Sequence, residues 1–140
     1  MMRILFITLL LISACSQDDP GIRVAPLDQE ILISVGESVE IVDADAEYVM
    51  MLTMTAVNDN RCPVNAACIT AGSAVVNFQV NGVQEISRQF ELCVGAVCAD
   101  DGERAEIVID GIVREFILKD VRPYPGSADS TPKYSVLEIN

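Results

Sequence analysis

Cysteine is the residue type in this sequence whose spacing most directly suggests chemistry. The chain contains five cysteines, and four of them form two close pairs, Cys62 with Cys68 and Cys93 with Cys98. Such pairs occur as disulfides, as redox couples or as metal ligands. Neither spacing matches that of Cys-x-x-Cys oxidoreductases, and no helix start follows that would lower a thiol pKa. The spacing therefore favours structural disulfides, although four cysteines allow three pairings.

Two acidic runs, residues 43–47 and 100–103, are the next candidates for a site. The first alternates carboxylates as a calcium loop does, but it lacks the glycine and the distant glutamate of an EF-hand. The second run is no closer to that pattern. We interpret both as solvated turns, and the sequence predicts no metal site and no cofactor.

The residues that most enzymes use are absent or cannot be singled out. The chain has no histidine, which excludes an ordinary catalytic triad, an imidazole base and a typical catalytic zinc site. Among 21 acidic residues no pair stands out for glycoside hydrolysis. No glycine-rich phosphate loop is present. We predict that the protein is not an enzyme.

Arg61 stands directly before the first paired cysteine and two residues after Asp59. Two interpretations are open. Arg61 pairs with Asp59 or with loop carbonyls and orients the loop, or it contacts a ligand at a loop tip, where rigid scaffolds commonly present binding residues. Arg61 and Asp59 are therefore the candidate binding residues, with the structural role as the favoured alternative.

The formal net charge is −12, from nine basic and 21 acidic residues. A nucleic acid would be repelled, because phosphate binding requires clustered lysine and arginine. The charge is consistent with solubility and also with steering toward a basic protein partner.

The N-terminal residues have the order of a secretory signal: a charge at Arg3, an apolar run over residues 4–12, then small residues. The run is too short to cross a bilayer, which needs about 20 residues. The segment Ile12-Ser13-Ala14-Cys15 resembles the lipobox of bacterial lipoproteins. This resemblance implies a signal peptide over residues 1–14 and a lipid anchor on Cys15, which leaves an even number of cysteines for disulfides.

Residues 15–28 are polar, acidic and broken by proline and glycine, which predicts a tether that holds a domain of residues 29–140 off the membrane. The absence of Asp at position 16 resembles the outer-membrane address of proteobacterial lipoproteins. We expect a location in the cell envelope, at the outer membrane.

From residue 29 onward the chain is a series of short apolar runs separated by turn residues, with no amphipathic helix. The longest run, residues 48–57, is apolar on both faces and predicts a central strand. About eight strands are expected, which indicates an antiparallel β-sandwich, immunoglobulin-like, or a partly open barrel. We predict the sandwich.

Two dipeptides between alternating runs predict hairpins. Asn81-Gly82 and Asp110-Gly111 are both typical of the type I′ turn, in which both central residues have positive φ.

The domain also resembles a family of small bacterial secreted and lipoprotein domains to which no reaction is assigned. The residues that carry the resemblance run from the cysteine loop to the C-terminus: Asp59-Asn60-Arg61-Cys62-Pro63, Cys68, Ala71-Gly72, Leu118, Pro123-Tyr124-Pro125 and Tyr134.

The sequence departs from the family pattern at Asn60, where serine is usual, and at Thr70, where tryptophan is common. An aromatic binding platform on this loop is therefore not expected. Cys93 and Cys98 are an addition to the pattern. The resemblance thus implies that Cys62 pairs with Cys68 and that the added pair bonds to itself.

These observations lead to two functional hypotheses. The first is a lipid-anchored, non-catalytic envelope module with a binding or structural role. The alternative is an inhibitor of a basic envelope-directed enzyme such as lysozyme or a protease, for which the negative charge would favour encounter.

Overall fold

The structure is a computed structural model that describes residues 21–84, 86–129 and 131–140. The predicted signal peptide, Cys15 and the first part of the predicted tether lie outside the described residues. All regular elements in those ranges are strands. These ranges contain no helix that is long and apolar enough to cross a membrane. The nine strands are β1 (Arg23–Pro26), β2 (Ile31–Ser34), β3 (Ser38–Val42), β4 (Tyr48–Asp59), β5 (Ser73–Gly82), β6 (Ser87–Gly95), β7 (Arg104–Ile109), β8 (Ile112–Arg122) and β9 (Tyr134–Ile139).

The strands form two sheets. One has five strands in the order β1-β3-β4-β5-β6, and the other has four in the order β2-β9-β8-β7. Every pair is antiparallel except β1 with β3. This arrangement confirms the predicted β-sandwich, and the longest strand, β4, lies at the centre of the five-stranded sheet as expected.

Alternation of side chains builds the core between the sheets. In β5 each second residue is buried, and Met50, Leu52 and Met54 of the neighbouring β4 are fully inaccessible. Phe90 of β6 packs against the other sheet, because the centroid of its ring lies 4.7 Å from the ring centroid of Phe116 in β8.

Strand β1 lies within residues 15–28, which the sequence assigned to a tether. It pairs in parallel with β3, from Arg23 with Val39 to Pro26 with Val42. The sheet therefore begins ahead of the expected domain boundary at residue 29. The sequence did not indicate this strand, because its four residues show no alternation of apolar and polar side chains. Its final proline is tolerated because β1 is an edge strand, one side of which is unpaired.

One of the two predicted hairpin turns is confirmed. Asp110 and Gly111 have φ values of 50° and 83° and join Ile109 to its partner Ile112. Asn81-Gly82 is wrong as a turn, because both residues lie in β5 and the chain turns at Val83 and Gln84.

Gly82 is required for a different reason from the predicted turn. A Cβ there would lie 2.4 Å from an oxygen of the Asp110 carboxylate. The glycine therefore permits a close approach between the two sheets, and its φ is not positive.

The register places both cysteine loops at one end of the sandwich, because Ser73 at the start of β5 pairs with Gly95 at the end of β6. We call this the cysteine end; its connections are residues 35–37, 60–72, 96–103 and 123–133. The opposite end, with connections 27–30, 43–47, 83–86 and 110–111, is the hairpin end.

Candidate functional site

The two disulfides are Cys62–Cys68 and Cys93–Cys98, which confirms the pairing that the family resemblance implied. The second of the two loops contacts the neck of the first, since the amide of Ala96 donates to the carbonyl of Gly72 at 3.0 Å. The cysteine end is therefore a single stapled surface made from two loops.

The neck of the first loop is held by close backbone contacts. The amide of Cys62 donates to the carbonyl of Ala71 at 2.8 Å, and that of Asn60 to Ser73 at 2.8 Å. Gly72 has a φ of 72°, and a Cβ there would lie 2.0 Å from the carbonyl oxygen of Asn60. A side chain at position 72 would force the neck open, which explains the glycine in the Ala71-Gly72 pair.

Arg61 is buried beneath this loop, with only 6% of its surface exposed. It forms a bidentate pair with Asp59: Nε donates to Oδ1 and Nη2 donates to Oδ2, both at 2.8 Å. The Asp59 side chain is itself only 4% exposed. Two opposite charges thus share one enclosed, well-aligned contact.

The same guanidinium reaches the four-stranded sheet. Its Nη1 donates to Asp120 Oδ1 at 3.1 Å, and its Nη2 also donates to the carbonyl of Val121. Its Cζ lies 4.2 Å from the centroid of the Tyr124 ring, a cation–π contact. Arg61 therefore ties the first cysteine loop to the end of β8.

Lys133 completes the arrangement. Its Nζ donates to Asp59 Oδ2 at 2.6 Å and to the carbonyl of Pro123. We call Asp59, Arg61, Asp120 and Lys133 the Arg61 cluster. It joins three chain segments far apart in sequence.

The electrostatics of the cluster favour the charged forms. Burial raises the pKa of the Asp59 carboxyl, but hydrogen bonds from Arg61 and Lys133 outweigh this effect and lower the pKa below its ordinary value. Burial likewise raises the pKa of Asp120, and hydrogen bonds from Arg122 and the Val121 amide bring it below its ordinary value. The hydrogen bond to Asp59 raises the pKa of Arg61.

This geometry bears on the candidate binding residues. Arg61 and Asp59 are brought together, but they are buried and their donors and acceptors are used within the fold. The arrangement provides neither a free base nor an open cation, so it favours the structural alternative. A role in ligand binding stays an untested prediction for both residues. Tyr124 is the cluster's exposed neighbour, at 39%.

The acidic runs lie in turns. Asp43 Oδ1 accepts the backbone amides of Asp45 at 2.9 Å and Glu47 at 3.0 Å, which closes the turn between β3 and β4. In the second run, the carbonyl of Asp101 accepts the amide of Arg104 at 2.9 Å. Within residues 21–84, 86–129 and 131–140, no group of three or more His, Cys, Asp or Glu side chains is arranged to hold a metal ion.

Sequence reasoning missed a pocket at the hairpin end, with a volume of about 210 Å³. Asp110 fixes its wall, because its carboxylate accepts the amides of Val83 at 2.6 Å and Gln84 at 3.3 Å across the two sheets. The Asp-Gly turn was visible in the sequence, but no sequence signal shows which turns meet. The lining is mainly apolar: Tyr48, Val49, Val83, Ile109 and Ile112, with Asp43, Asp110 and Arg114.

Comparison with known proteins found no match: no protein-family model, no curated protein and no solved structure matches this chain. The family resemblance therefore stays a prediction, and the function is argued from this structure.

Replacing Arg61 with alanine is expected to destabilise the protein by about 3–5 kcal/mol, because it leaves the buried Asp59 carboxylate without its main partner. The matched control is Arg104→Ala, which breaks the exposed pair of Arg104 with Glu115 and should cost no more than about 1 kcal/mol. Urea unfolding of both variants measures the difference. Equal losses in the two variants would contradict the structural role of Arg61.

The lowered pKa of Asp59 predicts a pH dependence of stability. Because the folded state favours the ionised carboxyl, its contribution is present in full above the ordinary value of 3.8 and is lost as the pH falls below it. Asp59→Asn should therefore be less stable than the natural protein at neutral pH, and the gap should narrow on acidification. Urea unfolding at about pH 7 and about pH 3 tests this. A gap of equal size at both pH values would show that the carboxyl charge is not the cause.

Proposed function

We propose that this protein is a lipid-anchored, non-catalytic module of the bacterial cell envelope that binds a basic protein partner through its hairpin end. The anchor is argued from the sequence of residues 1–15, which combines a secretory signal with the lipobox-like Ile12-Ser13-Ala14-Cys15. The two disulfides are compatible with a location outside the cytoplasm, where oxidising conditions preserve them.

The proposed membrane is the outer membrane, since position 16 is Ser and not Asp. The proposal of a non-catalytic role rests on the absence of histidine from the chain and on the structural use of the Arg61 cluster. The four members of this cluster hold one another and the backbone, so the most densely charged part of the fold is explained without a reaction.

The observation that carries the binding proposal is the composition of the hairpin end. Its turns carry carboxylates and no lysine or arginine, and two of these carboxylates, Asp43 and Asp110, line the mainly apolar pocket together with Arg114 of β8. An apolar recess within a negative rim suits a partner surface that offers an apolar side chain among basic ones. The carboxylates of these turns in the described residues are Asp28, Glu30, Asp43, Asp45, Glu47 and Asp110.

The same acidic rim supports the alternative function, inhibition of a basic enzyme. A lysozyme or a basic protease would be drawn to this end, and an inserted loop would block its active site. Activity assays of lysozyme and of a protease panel with the purified protein separate the two functions. Inhibition that saturates at equal molar amounts supports the inhibitor, and unchanged activity leaves the binding module.

Cys15→Ala is expected to move the protein from the membrane fraction to the soluble fraction almost completely, because the acyl chains that would hold it are lost. Fractionation of cells that express each form, together with intact-mass measurement of the purified proteins, checks this. A natural chain whose mass shows no acyl groups would contradict the anchor.

Asp45→Asn combined with Glu47→Gln should weaken capture of basic proteins from envelope extract roughly tenfold at low salt, since two carboxylates of the hairpin end lose their charge. The matched control is Asp100→Asn with Asp101→Asn, which removes the same charge from the cysteine end. Quantitative mass spectrometry of the captured proteins compares the two. An equal loss in both variants would mean that net charge alone, and not the hairpin end, attracts the partner.

A further inference from the structure

The direction of β1 shows where the preceding chain leaves the domain. β1 runs parallel to β3, and β3 runs from the level of Thr53 toward the start of β4 at the hairpin end. The N-terminal end of β1 therefore faces the cysteine end.

The reach of that chain matches the distance to the cysteine loops. Arg23 lies level with Leu52, through the pairing of both with Val39. From Leu52 to Asp59, β4 extends about 20 Å farther toward the cysteine end. The segment from Cys15 to Arg23 spans at most about 28 Å when fully extended. This length is enough for a lipid on Cys15 to reach the level of Asp59, where the first cysteine loop begins.

The loops at that end have an unusual composition for a chain of net charge −12. Residues 62–73, 93–99 and 123–128 contain no charged side chain. The tips expose aliphatic side chains: Ile69 is fully exposed at 106%, Val64 at 64% and Val97 at 61%. Isolated exposed aliphatic residues are ordinary, but here they project from two loops that contact each other.

The cysteine end also carries charged side chains outside these stretches, among them Asp100, Asp101, Glu103 and the exposed Asp129. Asp100, Asp101 and Glu103 line a groove together with Arg104 and Lys119, beside β7 and β8. The turns of the hairpin end carry carboxylates and no lysine or arginine, and Arg114 of β8 lines the pocket beside Asp43 and Asp110. The sandwich is therefore polarised between an uncharged apolar tip and an acidic opposite end.

We propose that the cysteine end rests on the lipid bilayer, with Val64, Ile69 and Val97 inserted among the lipid headgroups, so that the hairpin end and its pocket face away from the membrane. This inference rests on the proposed lipid anchor at Cys15. The occupant is the lipid surface because β1 begins on the side of this end and because residues 62–73, 93–99 and 123–128, which carry the exposed aliphatic side chains, hold no charge that an anionic leaflet would repel.

Rigidity of the tip supports the inference. The Cys62–Cys68 disulfide and the closed neck at Gly72 hold the first loop in shape before contact, and the Arg61 cluster fixes it to β8. Insertion therefore orders little additional chain, and the free energy of burying the exposed aliphatic groups is retained.

The chain has no tryptophan, so a single introduced indole reports its own surroundings. The test uses two variants of the full lipidated chain. Ile69→Trp places the indole at the cysteine end, and Val113→Trp is the control beside the hairpin end, where the native valine is 56% exposed. Both are reconstituted in phosphatidylethanolamine–phosphatidylglycerol vesicles, with and without brominated acyl chains. Unfolding curves that match the natural protein confirm that each variant is folded.

The expected result is a blue-shifted emission for Ile69→Trp and a loss of that emission in brominated vesicles, while Val113→Trp keeps its emission in both. Unquenched emission from Ile69→Trp overturns the inference, and a blue shift without quenching would show that protein covers this tip. In either case, an intact mass that includes the acyl groups still supports the proposed anchor at Cys15. A mass without acyl groups overturns the anchor and the inference together.

Discussion

The constraint on which the cysteine end depends is the burial of one guanidinium. A charged side chain removed from water is stable only when its hydrogen bonds are met by partners of opposite charge or by carbonyls. Arg61 meets this need with Asp59 beside it and with Asp120 and the Val121 carbonyl on the other sheet. The first cysteine loop can therefore take only the position in which those partners converge. The disulfide then restricts the part of the loop that projects beyond them.

A second polar contact has the corresponding role at the opposite end. The Asp110 carboxylate lies in the turn between β7 and β8 and accepts amides from the turn that follows β5. Gly82 leaves room for it. The apolar core holds the faces of the sheets together, and these two contacts set how the loops at each end are aligned. The binding and membrane surfaces that we propose are thus placed by contacts that do not themselves face the partner.

The two ends also differ in what they offer to other molecules. The hairpin end combines an apolar recess with carboxylates, and the cysteine end combines exposed aliphatic tips with loop stretches that carry no charged side chain. A lipid-anchored module needs both kinds of surface, one compatible with the bilayer and one that remains free for a protein. β1 begins on the side of the cysteine end, and the division of roles that we propose rests on the direction of this four-residue strand.

Much of the fold was predictable because its causes are local. The central strand over residues 48–57 and the Asp110-Gly111 turn depend on residues close in sequence, and both predictions are confirmed. Asn81-Gly82 shows the same turn signal in the sequence, but Gly82 lies in β5, where the absence of a side chain leaves room for the Asp110 carboxylate. Asp110 is distant in sequence, so the local pattern did not indicate this contact. β1 was missed because it is a four-residue edge strand that ends in proline, and its side chains show no alternation between buried and exposed positions.

The sequence by itself determined the all-β class, the absence of histidine chemistry, the acidic charge and the four cysteines available for bonding, because these follow from composition and short-range pattern. It also identified Arg61 and Asp59 as residues of note. Only the tertiary structure decided that Arg61 is buried against Asp120, that the two cysteine loops share one end and that a pocket lies at the other. Each of these depends on strand order and register, which bring together residues that are about 60 positions apart, and the free energy of such contacts exists only once the sheets have formed.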